Sequence, residues 1–239
     1  MTGVQTCALP IFAAFSQDEL PQRIHEATVK EHCSGKLAGH VSRDSTAIEA
    51  REKATGKKPK PPKVAKKRGR RPKHEPAPPP DPTRLQQQLP RSLSENLADL
   101  PTACDWGGKR NSKGKDEHWR GYKAHLDVID GDLPVSFVLT SASLHDSQAA
   151  IPLAQMTADR VTSLYDLADD AYDAGEIREM SERLGHVAII DHNPRRGEKR
   201  QFAPAEAVRY RERSSVERVN AHLKEPTGAA TSACGERPR

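Results

Sequence analysis

The sequence predicts a mixed α/β fold, on three observations. Apolar runs of strand length, bounded by turn residues, recur through the second half of the chain. Segments with helical spacing alternate with them. Large apolar side chains thin out between about residues 51 and 100, which separates the first strand from the others. The order read is β, long insertion, β, β, α, β, α, β, α.

The elements follow in chain order. Residues 1–11, MTGVQTCALPI, resemble the translation of a sequencing adapter and are set aside. Residues 12–36 read as the remnant of an N-terminal helical region, with Leu20, Ile24, Ala27 and Val29 at helical spacing. LAGHVSRDSTAI (37–48) is a strand, and Glu49–Thr55 begins a helix that Gly56 ends. Residues 57–103 form a basic, Pro-rich insertion expected to be disordered, with a short helix at most within Leu85–Leu97.

Order returns after Trp119. GYKAHLDVID (121–130) and PVSFVLTSAS (134–143) form a hairpin about Gly131-Asp132. Ser147–Thr157 is helical, SLYDLADDAYD (163–173) starts as a buried strand, and Ala174–Leu184 is a helix closed by Gly185. HVAIIDHN (186–193) is a strand, and Pro204–Leu223 is the longest helix. The globular domain therefore comprises 37–56 and 104–224, with an aberrant or unstructured tail at 225–239.

The 239-residue chain carries a formal net charge of +5 and a pI near 9.0. Lys57–Lys73 holds ten Lys or Arg and no acid, including Lys66, Lys67, Arg68, Arg70 and Arg71. Such a run is either a solvated linker or one that also touches a polyanion such as DNA. The four cysteines are scattered, which gives no sign of a disulfide framework or a C-x-x-C site. With no long apolar stretch and no basic leader, the expectation is a cytoplasmic protein without a membrane segment.

Three acids stand out. Asp44 lies inside a strand, Asp169 lies where a strand breaks into three aspartates, and Glu217 lies on the last helix. Nearby carboxylates need a cation, commonly Mg²⁺ held by oxygen ligands, and two such ions suit phosphodiester chemistry. The plain alternatives are an exposed Asp44 on an edge strand and an acidic N-cap at LADDAYD. On the last helix Tyr210, Arg213, Glu217 and Lys224 fall at offsets of three, seven and fourteen, which places them on one face. That face suits a phosphate beside a metal, or equally an Arg213–Glu217 salt bridge in solvent.

YRERSSVERVNAHLK (210–224) resembles, without a gap, the Y-x2-R-x3-E-x6-K signature of the insertion sequence 4-like DDE transposases. GHVSRDST (39–46) and LADDAYDA (167–174) are similar to the segments that carry that group's two aspartates. The resemblance covers about residues 37–224. It implies a ribonuclease-H-like mixed sheet flanked by helices, with Asp44, Asp169 and Glu217 as catalytic and metal-binding triad and Asp170 as fallback. It implies two Mg²⁺ ions, for which Mn²⁺ substitutes, and contacts from Tyr210, Arg213 and Lys224 to DNA. It implies cleavage at transposon ends, strand transfer into target DNA, and self-association on DNA. The short N-terminal region and the sequence after Lys224 depart from the group, and the expectation is a chain truncated at both ends. Two further readings stand beside this one, a basic nucleic-acid-binding module without catalysis and a metal-dependent nuclease.

Overall fold

The computed structural model describes residues 18–33, 35–54, 81–110, 113–194 and 198–224. The elements are α1 (Leu20–Cys33), β1 (Leu37–Glu49), α2 (Arg84–Gln88), α3 (Leu93–Asp99), β2 (Asp105–Arg110), β3 (Asp116–Ile129) and β4 (Leu133–Ser141). After them come a 3₁₀ turn (Asp146–Ala149), α4 (Ala150–Ala158), β5 (Thr162–Ala168), a 3₁₀ turn (Asp170–Tyr172), α5 (Gly175–Arg183) and β6 (Val187–Ile190). The last are α6 (Pro204–Tyr210), a 3₁₀ turn (Arg211–Arg213) and α7 (Ser214–Lys224).

Six strands form one mixed sheet in the order β2-β3-β1-β5-β6, with β4 also paired to β3. β1 is antiparallel to β3 and parallel to β5, which is parallel to β6. β3 is long enough to pair twice on its outer side, through Asp116–Gly121 to β2 and through Tyr122–Ile129 to β4. The β3–β4 turn is the expected one. Gly131 and Asp132 both have positive φ, 84° and 61°, as a turn matched to strand twist requires. Helices flank the sheet, and the architecture is consistent with the ribonuclease-H-like fold.

The two faces bury different helices. On one, Val216 and Val219 of α7 pack against Leu126 and Val128 of β3. On the other, Ala149, Leu153 and Met156 meet Val138, Leu144, Leu97 and Leu100, while Ile151 and Ala154 meet Met180, Leu85 and Leu89. Leu153, Ile151 and Val128 are fully buried. A buried ion pair crosses β1 and β3 on this second face. Arg43 donates from Nε and Nη2 to Asp127 at 2.8 and 2.7 Å, and Thr157 of α4 donates to the same carboxylate at 2.7 Å.

Four features differ from the sequence reading. The expected unpacked insertion ends well before residue 103, because α2 and α3 lie on the core. Each begins with a capping box (Thr83 with Gln86, Ser92 with Glu95). Leu85, Leu89, Leu97 and Leu100 supply the buried contacts. Residues 57–80 lie outside the described residues. β2 was not anticipated, and it extends the ladder of β3 five residues before Gly121. No helix occurs at 50–54, where the chain instead runs along β3, Ala50 N donating to Arg120 O at 2.9 Å. The single helix expected at 204–223 is broken by the tighter turn at Arg211–Arg213.

Candidate active site

The parallel register of β1 and β5 advances residue by residue from Leu37↔Thr162 to Ser42↔Leu167. Continued by two residues, it sets Asp44 level with Asp169. Asp44 faces the α7 side of the sheet, like Ser42 two residues earlier, whose hydroxyl donates to Glu212 O at 3.2 Å. Asp169 follows the last residue of β5 and caps the next turn, accepting from Ala171 N at 3.0 Å. Two carboxylates far apart in sequence thus stand one strand spacing apart, about 4.8 Å between backbones.

The third arrives from above. The 3₁₀ turn at Arg211–Arg213 aligns residues three apart, so Tyr210 and Arg213 share a line despite the break in the helix. Arg213 then meets Glu217 one α-turn later, Nη1 to Oε1 at 2.7 Å. Its other terminal nitrogen lies 3.4 Å from Asp169 Oδ2 and 3.7 Å from Asp44 Oδ1. One guanidinium therefore receives all three predicted acids. Asp170 starts the turn beyond Asp169 and is exposed, without a contact to Arg213.

Desolvation dominates the electrostatics. Burial pushes the Asp44 carboxyl up to about 6, against the attraction of Arg213 and with added repulsion from Asp169. Asp169 is raised for the same first cause, again opposed by Arg213. Burial also lifts the Tyr210 phenol to about 12, and its ring packs 4.7 Å from that of Phe202. Asp44 and Asp169 are held where they remain short of positive charge even with Arg213 beside them.

The donor set fits a hard divalent cation, because it offers carboxylate oxygens, those of Asp44 and Asp169 with a charge that burial leaves undercompensated. Asn220 adds a polar group, donating from Nδ2 to Asp44 Oδ2 at 3.0 Å, while its Oδ1 is buried without a partner. As the side chains stand, no three His, Cys, Asp or Glu among the described residues form a ready metal-binding group, and Arg213 lies between the acids.

Lys224 ends α7 about 10 Å along the axis from Glu217. It stands apart from the acids, beside a cavity also lined by Thr46, Ile48 and Ala124. Lys66, Lys67, Arg68, Arg70 and Arg71 lie outside the described residues. Two neighbours escaped the sequence reading. Asn220 was legible as the residue three positions after Glu217, on the same helix face. Asp146 adds a fourth acidic influence on Asp44 and Asp169 and is itself held by Lys123 at 2.7 Å. Nothing in its own segment pointed there, since only the fold carries it to this end of the sheet.

Among the described residues no helix is long and apolar enough to cross a membrane. No curated protein and no solved structure matches the chain. The family model described as "Transposase DDE domain" matches residues 37–236, a span that takes in every element of the sheet and all three acids. A transposase domain implies an enzyme with DNA as its substrate, and the chain belongs to the transposase DDE domain family.

Proposed function

We propose that this chain cuts DNA at the ends of an insertion sequence and joins those ends to target DNA, as a member of the insertion sequence 4-like group. The observation that carries this reading is the meeting of Asp44, Asp169 and Glu217, from β1, the end of β5 and α7, around one cation. In this reading the three carboxylates hold two Mg²⁺ ions, with Mn²⁺ able to replace them. Bound there, they would supply the positive charge that phosphodiester displacement calls for.

The chain's own groups do the rest. A water oxygen attacks phosphorus at the transposon end, the bond from phosphorus to the 3′ oxygen breaks, and a 3′-hydroxyl and a 5′-phosphate result. That hydroxyl then attacks a target phosphodiester, and the target's own 3′ oxygen leaves. Arg213 and Tyr210 present a cation and a phenol beside the reacting phosphate, where charge-assisted hydrogen bonds fix its position. With a cation holding the carboxylates, the Arg213 guanidinium would be free to pair with phosphate instead. Lys224 and the basic run through Lys66, Lys67, Arg68, Arg70 and Arg71 add sequence-independent affinity. Self-association on DNA brings two ends together.

The test uses duplex DNA carrying the element's own terminal repeats, with Mg²⁺. The parent protein nicks at the repeat boundary and joins the freed end to a target plasmid. Glu217→Gln abolishes both products while the affinity for the duplex stays within about twofold, because the ions serve chemistry and the basic groups serve positioning. Cutting by the variant at the parental rate would remove Glu217 from the site. Cutting without joining by the parent would make the protein a nuclease.

A further inference from the structure

The β2–β3 hairpin is a two-stranded ribbon that runs on past the end of β1, whose last paired residue, Glu49, lies opposite Gly121. It leaves the sheet at the C-terminal end of β1, the end toward which Asp44 and Asp169 lie. Its two faces differ sharply. On one, Trp119 is buried under Gly107, where an added Cβ would sit 2.5 Å from the indole, and Lys123 lies 5.8 Å from the same ring's centroid. Since Trp119 and Lys123 share that face across Gly121, the alternation of β3 continues through the glycine. His118 and Arg120 consequently lie on the opposite face, the one where Leu126 pairs with Asp44 and α7 packs.

Cross-strand register completes that second face. Trp106 pairs with Arg120, Gly108 with His118, and Arg110 with Asp116. Trp106 is 58% exposed, unusual for an indole that could have been buried. Arg120 donates through Nη2 to Arg51 O at 3.3 Å, while its Nε has no partner. Arg110 donates to Gly114 O at 2.9 Å, and its Nε lies 4.0 Å from Asp116 Oδ1, with both side chains about three-quarters exposed. Such a pair contributes little in water and yields readily to a phosphate. The face thus offers an aromatic ring, two guanidiniums and an imidazole, against the carboxylates of Asp116 and of Glu52, which the Tyr122 hydroxyl holds at 2.8 Å.

Its length is as telling as its chemistry. From Leu126, opposite Asp44, to Asp116, opposite Arg110, is ten residues of β3. At about 3.4 Å per residue that spans about 34 Å, close to one turn of duplex DNA.

We propose that the β2–β3 hairpin is a DNA-holding arm, whose Trp106, Arg120, His118 and Arg110 face lies along the sugar–phosphate backbone of duplex DNA, about one helical turn from the bond held at Asp44. Arg110 and Arg120 meet phosphates, and Trp106 packs on deoxyribose. The arm rests on the reading of DNA as substrate, but its test does not require cleavage.

The experiment uses the full chain with a random-sequence duplex of several turns, in a chelator so that no cutting occurs. The sequence has two tryptophans, and only Trp106 is open to solvent, so acrylamide quenching reports on this face. Saturating duplex shields the emission from acrylamide. Arg110→Gln lowers the slope of log affinity against log salt by about 0.9, one phosphate contact. Trp106→Ala weakens binding several-fold and leaves that slope unchanged. Both side chains are exposed, and unchanged thermal unfolding of the variants verifies that the fold persists.

Undiminished quenching in the bound state, or an Arg110→Gln slope equal to the parent's, overturns the proposal. So does a protein without affinity for the duplex. A single strand that shields Trp106 where the duplex does not overturns the duplex assignment. If Glu217→Gln cuts at the parental rate while the hairpin variants weaken binding, the catalytic reading fails and the arm stands.

Discussion

Burial pushes Asp44 up to about 6 because its neighbours return less than the hydration it loses, and Asp169 moves the same way. For Asp44 the folded value lies above the ordinary one of 3.8, so the folded chain binds the proton more tightly. The corresponding stabilisation is complete below about pH 4 and is lost as pH rises through about 6. Without divalent ions, Asp44→Asn should therefore exceed the parent in stability at pH 7.5, by on the order of 1–3 kcal/mol, and should show little advantage at pH 4. Urea unfolding of both proteins at the two pH values checks this, and parallel pH profiles would refute it. His125 behaves in the opposite sense. Burial lowers its imidazole to about 4, with Nε2 2.8 Å from Thr140 Oγ1. Its share of stability is present above about 6.5 and is lost as pH falls through about 4, so His125→Gln should flatten the acid limb of the parent's curve.

At the scale of elements, periodicity served the long apolar segments well. β1, β3, β4 and α5 fall where alternation or helical spacing placed them. What it missed was carried by few residues each. The leucines at 85, 89, 93, 97 and 100 recur at near-helical intervals, but the surrounding prolines and lysines diluted them in any composition average. Their helices are then fixed by side-chain amides. Asn96 donates to Gln88 O and to Gln155 Oε1, both at 3.0 Å, and Gln88 donates to Gln148 O at 2.8 Å. Leu100→Ala should cost about 2–5 kcal/mol, as for a well-packed core leucine, and Asn96→Ala about 1–3 kcal/mol from the buried partners it strands. Thermal or urea unfolding reads both. Values below about 0.5 kcal/mol would mean that this segment is not part of the cooperative core. The break at Arg211–Arg213 had no periodic signal, since a 3₁₀ turn keeps residues three apart in line and leaves the pattern of Tyr210 and Arg213 intact.

For the molecule as a whole, strand order does what no local pattern can. The spacing of Asp44, Asp169 and Glu217 in sequence carried only a weak hint of a site, and the resemblance of their contexts to one group supplied the rest. The physical reason they meet is that β1 lies central in the sheet, between β3 and β5, with α7 packed across β1 and β3. Asp146 and Lys123 were illegible for the same reason, because their nearness to the site depends on pairings made elsewhere. The joint of this architecture is Gly121, with φ of 149° and the carbonyl of Ile48 2.1 Å from where a Cβ would be. Gly121→Ala should destabilise the fold by several kcal/mol, since backbone rather than a side chain must yield. A variant with parental thermal stability would show that the β1–β3 crossing has slack.

The chain that leaves β1 and the chain that enters β2 are tied at one place. Cys104 Sγ lies 3.8 Å from Glu52 O, and the Tyr122 hydroxyl donates to Glu52 Oε2 at 2.8 Å. The chain after Ala54 and the chain before Cys104 therefore meet at one point on the sheet, and α2 and α3, which precede Cys104, belong to the core. The entropy of closing a loop grows with the logarithm of its length, so doubling it costs only about 0.6 kcal/mol. Length added ahead of Thr83, outside the packed α2 and α3, therefore carries little thermodynamic penalty, and the distance between Asp44 and Asp169 stays what one strand spacing makes it.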